Sequence, residues 1–127
     1  MELLLIGKDG TDLYHTLFSS ETSREILRFY RPKRRGFGIS VTVISLGAAL
    51  SLASELRWYI RRYVRLALIE AEPGTYWTLG YARAIDGREG DRESLEGRTT
   101  LFSLDESPET GGTEKIRVRT LPDEEIG

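Results

Sequence analysis

Short apolar runs separated by turn residues organise the first thirty positions of the chain. Residues 2–6 (ELLLI) contain a continuous apolar run ended by Gly7, which is typical of a buried strand. The GKDGTD segment that follows carries turn and capping residues, and we expect a short helix from there to about Ser20. Residues 24–30 (REILRFY) alternate between polar and apolar positions, and this pattern predicts a second strand.

The longest apolar stretch is more ambiguous. Residues 36–54 carry no charge, and apolar residues recur at spacings of three and four from Ile44 onward. This spacing predicts a helix from residue 39 or 40 to about 62, with Ser40 as its N-cap. The β-branched start, ISVTVIS, favours an extended conformation for residues 39–45 instead.

The second half of the chain reads mainly as strands. Apolar or alternating patterns predict strands at 64–70, 76–85, 99–104 and 115–121, with loops at 86–98 and 105–114. The order of elements predicts an α/β two-layer sandwich with helices on one face of the sheet. A chain of 127 residues is most simply one domain, 1–127, and we expect a flexible tail at 122–127.

Composition removes several function classes. The chain has no cysteine and a single histidine, so thiolate sites are absent and a Ser-His-Asp triad or ordinary zinc site is not expected. We find no catalytic constellation, cofactor motif or metal-ligand spacing and therefore expect a non-enzymatic protein. The N-terminus lacks a basic region and a long apolar run, so we expect a cytoplasmic protein.

Charge is strongly partitioned along the chain. Residues 24–65 hold ten cations and two anions, whereas residues 66–127 hold seven cations and fourteen anions. Because binding responds to local potential rather than to net charge, the central segment is a candidate for contact with a polyanion.

The basic segment RPKRRGFG is the clearest candidate binding site. Arginine presents a planar fork that matches phosphate oxygens, and glycines let a ligand approach the backbone closely. A helix beginning just beyond this segment would add free amides and a positive dipole end. Phe37 can stack on a base or can pack into the core instead. The predicted nucleic-acid-binding residues are Lys8, Arg31, Lys33, Arg34, Arg35, Gly36, Phe37 and Gly38.

Three short segments, LLLIGK (3–8), EILRFY (25–30) and RGFGIS (35–40), resemble the Alba superfamily of small archaeal and eukaryotic nucleic-acid-binding proteins. The resemblance covers roughly residues 3–72 and 114–121. It implies a β-α-β-α-β-β fold and a homodimer or heterodimer that binds RNA or DNA, as a chromatin or ribonucleoprotein component. The Lys8 turn and the Arg35–Gly36 loop would lie on the nucleic-acid face.

The chain also departs from the Alba pattern. Asp9 stands where many members of the family have a second lysine, and residues 73–114 form an enlarged, acidic, β-rich insertion between the last core strands. Two alternatives remain open. The insertion can bind a protein partner, which would make the chain a scaffold subunit, or residues 36–54 can form a single membrane-spanning helix flanked by cations.

Overall fold

A computed structural model describes residues 1–87, 97–107, 112–124 and 126. Within these residues the chain forms one seven-stranded sheet and five helices, so the α/β prediction is confirmed. The elements in chain order are β1 (Glu2–Gly7), α1 (Leu13–Ser19), α2 (Glu21–Leu27), β2 (Lys33–Arg35), β3 (Gly38–Thr42), α3 (Leu46–Glu55), α4 (Arg57–Tyr63), β4 (Val64–Glu72), β5 (Thr75–Thr78), α5 (Leu79–Gly87), β6 (Arg98–Ser107) and β7 (Gly112–Thr120).

The sheet has the strand order β2-β3-β1-β4-β5-β7-β6. β1 lies inside the sheet and pairs antiparallel with both β3 and β4, while β5 and β7 form the parallel pair. Leu3 through Ile6 are all buried, as expected for a strand covered on both faces. The continuous apolar run at the start of the chain is explained by this position.

Two apolar clusters lie on opposite faces of the sheet. The larger cluster joins Leu3 and Leu5 to buried residues of all five helices. The smaller, helix-free cluster joins Leu4 and Ile6 of β1 to Leu104 of β6, as well as to residues of β7. β1 and β6 are four strand positions apart, which is about 19 Å in a flat sheet. Because Ile6 and Leu104 nevertheless line one cleft, the sheet must curl so that its last hairpin covers the helix-free face.

The strand predicted at residues 24–30 is wrong, because residues 24–27 belong to α2 and residues 28–30 form a turn. Ser23 and Leu27 are buried and Ile26 packs against the larger cluster, which is the three- and four-residue spacing of a helix. The alternation within REILRFY was too short to separate the two periods.

The single helix predicted from residue 39 or 40 to 62 is wrong in its first part and is divided into α3 and α4 at Leu56, although most of residues 46–62 is helical. Residues 38–42 form β3, so the extended alternative for this segment is confirmed. The following helix, α3, begins at Leu46, and the side chain of Ser45, rather than Ser40, accepts a hydrogen bond from the Ala48 amide at 3.1 Å. The membrane-helix alternative for residues 36–54 fails for the same reason, since strand and helix share that stretch. No helix in the described part of the chain is both long and apolar enough to cross a bilayer.

The strands predicted at 64–70 and 99–104 are confirmed within β4 and β6, and residues 115–120 of the last predicted strand lie in β7. Residues 76–85 instead divide into β5 and α5, where the hydroxyl of Thr78 accepts a hydrogen bond from the Tyr81 amide and caps the helix. The described part of the 73–114 region therefore contains β5, α5, β6 and the start of β7, and β6 pairs with β7 as an antiparallel hairpin. The predicted loops at 86–98 and 105–114 fall partly on residues 88–96 and 108–111, outside the described residues.

The segment predicted to be a flexible tail is held at Glu124. Its carboxylate accepts hydrogen bonds from the Thr78 hydroxyl at 2.7 Å and from the Leu121 amide at 2.8 Å. These contacts hold Glu124 over the junction of β5 and α5.

Candidate nucleic-acid interface

The predicted basic loop is the start of a β-hairpin. Lys33 and Arg35 lie on β2 and pair with Ser40 and Gly38 of β3, and the chain turns between the two strands at residues 36–37. A strand rather than a helix follows the cations, so the expected helix N-terminus at this site is wrong. The free amides and dipole of a helix therefore make no contribution beside the basic segment.

Gly38 has a structural role in this hairpin. Its φ of 153° lies in the region that side chains rarely adopt, and a Cβ there would lie 2.1 Å from the Leu5 carbonyl oxygen. The residue is required for the close approach of β3 to β1.

Arg34 is held against α1. Its guanidinium lies 2.7 Å from the Asp12 carboxylate and 4.8 Å from the centre of the Tyr14 ring. The hydrogen bond from Arg34, together with that from the His15 amide, holds the pKa of Asp12 below its usual value. Arg34 thus already pairs with a carboxylate, so it is less available to bind a phosphate.

Phe37 is 8% exposed and belongs to the helix-free cluster. Base stacking by Phe37 is not possible from this position, and the alternative of packing into the core is confirmed. Its carbonyl oxygen accepts a hydrogen bond from the Gly7 amide at 2.9 Å, and the Arg35 guanidinium lies 5.1 Å from its ring centre. The hairpin turn is therefore fastened to the end of β1, next to Lys8.

Lys8 connects this turn to the junction of α4 and β4. Its backbone amide donates to the Tyr63 carbonyl at 2.9 Å, and its exposed Nζ donates to the Arg61 carbonyl at 3.3 Å. The contacts bring together cations from the β1–α1 turn, the hairpin and the α4–β4 junction. We call this set the basic surface, and it consists of Lys8, Arg35, Arg61, Arg62 and Arg65.

Trp58 lies beside the basic surface and is 53% exposed. The Arg62 guanidinium lies 4.6 Å from the centre of its ring, and the Tyr63 ring meets it edge-on at 6.3 Å. Sequence reasoning did not single out Trp58 as a contact residue. The signal available was an arginine four positions after a tryptophan in a helix, which places both side chains on one face.

The remaining predicted cations of the basic segment are Arg31 and Lys33. Arg31 and Lys33 are exposed, and Arg31 has a φ of 48° immediately before Pro32. Of the predicted residues, Lys8, Gly36 and Phe37 line one cleft, and Arg35 contacts the Phe37 ring. Arg34 pairs with Asp12 instead, and Arg31 and Lys33 do not line the cleft.

A cleft of about 310 Å³ opens where the hairpin turn, the β1–α1 turn and β6 meet. It is lined by Ile6, Gly7, Lys8, Asp9, Gly10, Thr11, Gly36, Phe37, Arg65, Phe102, Ser103 and Leu104. Basic side chains and aromatic rings therefore share one concavity.

The remaining candidate residues do not line the cleft. His15 is exposed on α1, where its Nε2 lies 3.3 Å from the Ser19 hydroxyl. Tyr76, Trp77 and Tyr81, a possible stacking platform, are all buried. Within the described residues, no three side chains of the metal-ligating types form a group that could hold an ion. The arrangement of basic side chains supports binding of an anion.

One comparison with known proteins gives a match. Residues 1–97 fit the model of a family described as "Family of unknown function (DUF5804)". No curated protein and no solved structure matches the chain. Since the matched residues make up most of the sequence, including β1 through α5 and the whole basic surface, the chain belongs to the DUF5804 family.

Proposed function

We propose that the protein binds nucleic acid, RNA or DNA, without catalysis, by neutralising phosphates at the basic surface. The observation that carries the proposal is the docking of Lys8 onto the Arg61 carbonyl, because it gathers cations from separate elements into one surface. Residues far apart in sequence then act on the same stretch of phosphate backbone.

The cations at the centre of this surface are available to a ligand. Lys8, Arg61 and Arg62 are exposed, and none of them forms an ion pair with a carboxylate of the residues that the structure describes. Arginine forks match phosphate oxygens, and binding releases counterions from the nucleic acid. Trp58 adds an exposed aromatic face on which a base can stack.

The resemblance to Alba supports the same function through the Lys8 turn, although the surface is arranged differently. The implied order β-α-β-α-β-β has a single helix between the first two strands, whereas this chain has two helices and then the β2–β3 hairpin. The arginines of α4 and β4 therefore extend the surface that Lys8 begins. The proposal includes a cytoplasmic location and a role as a subunit of a ribonucleoprotein or of chromatin.

The test is a binding titration of labelled RNA and DNA at two salt concentrations. We expect binding at low salt that weakens steeply between about 50 and 200 mM salt, because released counterions oppose association. Absence of binding at the lower salt concentration would refute the proposal.

A second candidate function is that of a scaffold that pairs with another copy of itself. Among the described strands, β6 pairs on one side only, with β7, and Leu101 on this edge strand is 68% exposed. An edge strand with an exposed apolar residue can extend a sheet into a second chain. Light scattering tests this candidate directly: a dimer that Leu101→Lys converts to a monomer supports it, and a wild-type monomer contradicts it.

A further inference from the structure

The cleft beside Lys8 has the size of a small-molecule site. Its volume of about 310 Å³ lies at the lower end of the usual range for ligand pockets, about 300–1,000 Å³. Four separate parts of the chain form its walls: the end of β1 with the β1–α1 turn, the β2–β3 turn, the start of β4 and the middle of β6. The curl of the sheet creates this concavity by bringing β6 back towards β1.

The floor and the rim of the cleft differ in chemistry. Ile6, Phe37 and Leu104 are buried and make an apolar floor, and the half-buried ring of Phe102 lies beside them. The rim carries Lys8, Asp9 and Arg65, so its net charge is positive, and the Arg65 guanidinium lies 5.7 Å from the centre of the Phe102 ring. A flat apolar ring with an attached anion complements such a site.

The turn on one side of the rim adds hydrogen-bond donors. The Thr11 amide closes the turn on the Lys8 carbonyl at 3.0 Å, and Gly10 has a φ of 79°. The amides of Asp9 and Gly10 donate no hydrogen bond to any of the described residues. Successive free amides in a turn are suited to binding oxygen atoms of an anion.

We propose that this cleft receives one unpaired nucleotide, its base against Phe102 and its phosphate between Lys8 and Arg65, so that the protein selects single-stranded over duplex nucleic acid. The inference rests on the proposed function, because the cleft shares Lys8 and Arg65 with the basic surface. A base held in a duplex cannot enter without being unpaired and unstacked, and this step costs free energy that a single strand does not lose.

The first experiment compares binding of a single strand with binding of a duplex of the same sequence, at one salt concentration. We expect the wild-type chain to favour the single strand by at least about fivefold, the lower end of what one stacked base contributes. Phe102→Leu removes the ring and should abolish this preference, and Phe102→Tyr should retain it. The matched control is Phe29→Leu, because Phe29 also lies under an arginine, Arg28 at 4.6 Å, but does not line the cleft.

The outcomes separate this inference from the proposed function. If the wild-type chain binds neither the single strand nor the duplex in a salt-dependent manner, the proposed function itself fails. If binding is salt-dependent but equal for the two forms, or if Phe102→Leu behaves as wild type or no differently from Phe29→Leu, the basic surface stands and the cleft inference is overturned.

A second experiment needs no variant and so does not depend on the stability of Phe102→Leu. Adenosine 5′-monophosphate and ribose 5-phosphate carry the same phosphate, but only the former carries a base. In amide NMR spectra of the wild-type chain we expect the nucleotide to shift the signals of Asp9, Gly10 and Phe37, with a clearly weaker effect of the sugar phosphate. Equal shifts with both compounds, or none with the nucleotide, would overturn the inference.

Discussion

Replacing two adjacent arginines of α4 tests whether charge at the basic surface drives binding. Arg61 and Arg62 are exposed in the last turn of α4, and glutamine keeps a good helix former at each position. The substitutions leave the backbone carbonyl of Arg61, and with it the Lys8 contact, in place. The double variant therefore removes two charges and leaves the backbone of the site in place.

The expected magnitude follows from the number of cations. If all five members of the basic surface contact phosphates, the slope of log affinity against log salt is about −3.5 for a single strand. Loss of two contacts brings the slope to about −2 and weakens binding about 25-fold at 0.1 M salt. Arg62 also loses its contact with the Trp58 ring, which costs about 0.5–1 kcal/mol of folding stability at an exposed site.

The assay is fluorescence anisotropy of a labelled oligonucleotide of about 16 nucleotides, the upper end of the usual site size. The control variant carries Arg24→Gln and Arg28→Gln, which remove two exposed charges from α2 and its C-cap instead. We expect the control to keep the wild-type slope. Equal slopes for the two double variants would show that net charge, rather than this surface, governs binding and would refute the reasoning.

Three further predictions concern the framework of the site. Gly38→Ala should destabilise the fold by about 3 kcal/mol or more, because the added Cβ would clash with the Leu5 carbonyl oxygen and the backbone conformation is strained for alanine. Urea unfolding measures this loss, and a value below about 1 kcal/mol would contradict the close contact between β3 and β1. Asp12→Asn should destabilise the protein at neutral pH but not in acid. The ion pair with Arg34 lowers the pKa of Asp12, so the stability that the pair contributes is lost as the pH falls below the usual value near 3.8. Destabilisation that persists in acid would argue against the ion pair. Leu104→Ala should cost about 2–5 kcal/mol in thermal or urea unfolding if the last hairpin packs on the helix-free face, and a nearly neutral result would contradict the curled sheet.

The sequence was most informative where one local pattern was strong. The apolar run of β1 and the alternation of β7 identify strands because burial on two faces and on one face leave different patterns. The pattern of residues 24–30 predicted the wrong element, and that of residues 39–45 fitted two elements. Short apolar stretches fit both the helix period and the strand period, and only contacts with distant elements decide between them. The break between α3 and α4 at Leu56 was likewise not predictable, because no glycine or proline lies at this position.

The candidate site was only partly accessible from the sequence. The cations of residues 31–35 were predicted to act together because they are adjacent in the sequence. The pairing of β2 with β3 instead places Arg34 against Asp12 and Arg35 beside the cleft. The meeting of Lys8 with the α4–β4 junction depends on the antiparallel register of β1 and β4, which a local pattern does not encode. The partition of charge agrees with the proposed surface, since its members apart from Lys8 lie within residues 24–65.

The most direct test of the central claim is a titration of the isotopically labelled protein with a short single-stranded oligonucleotide, followed by amide NMR at low salt. The account expects a contiguous set of shifted signals around Lys8, Arg35, Arg61 and Arg65, together with the indole signal of exposed Trp58. The indole signal of buried Trp77 should stay in place. Shifts centred on α5 or β6 away from the cleft, or no shifts at all, would contradict a nucleic-acid interface at this surface.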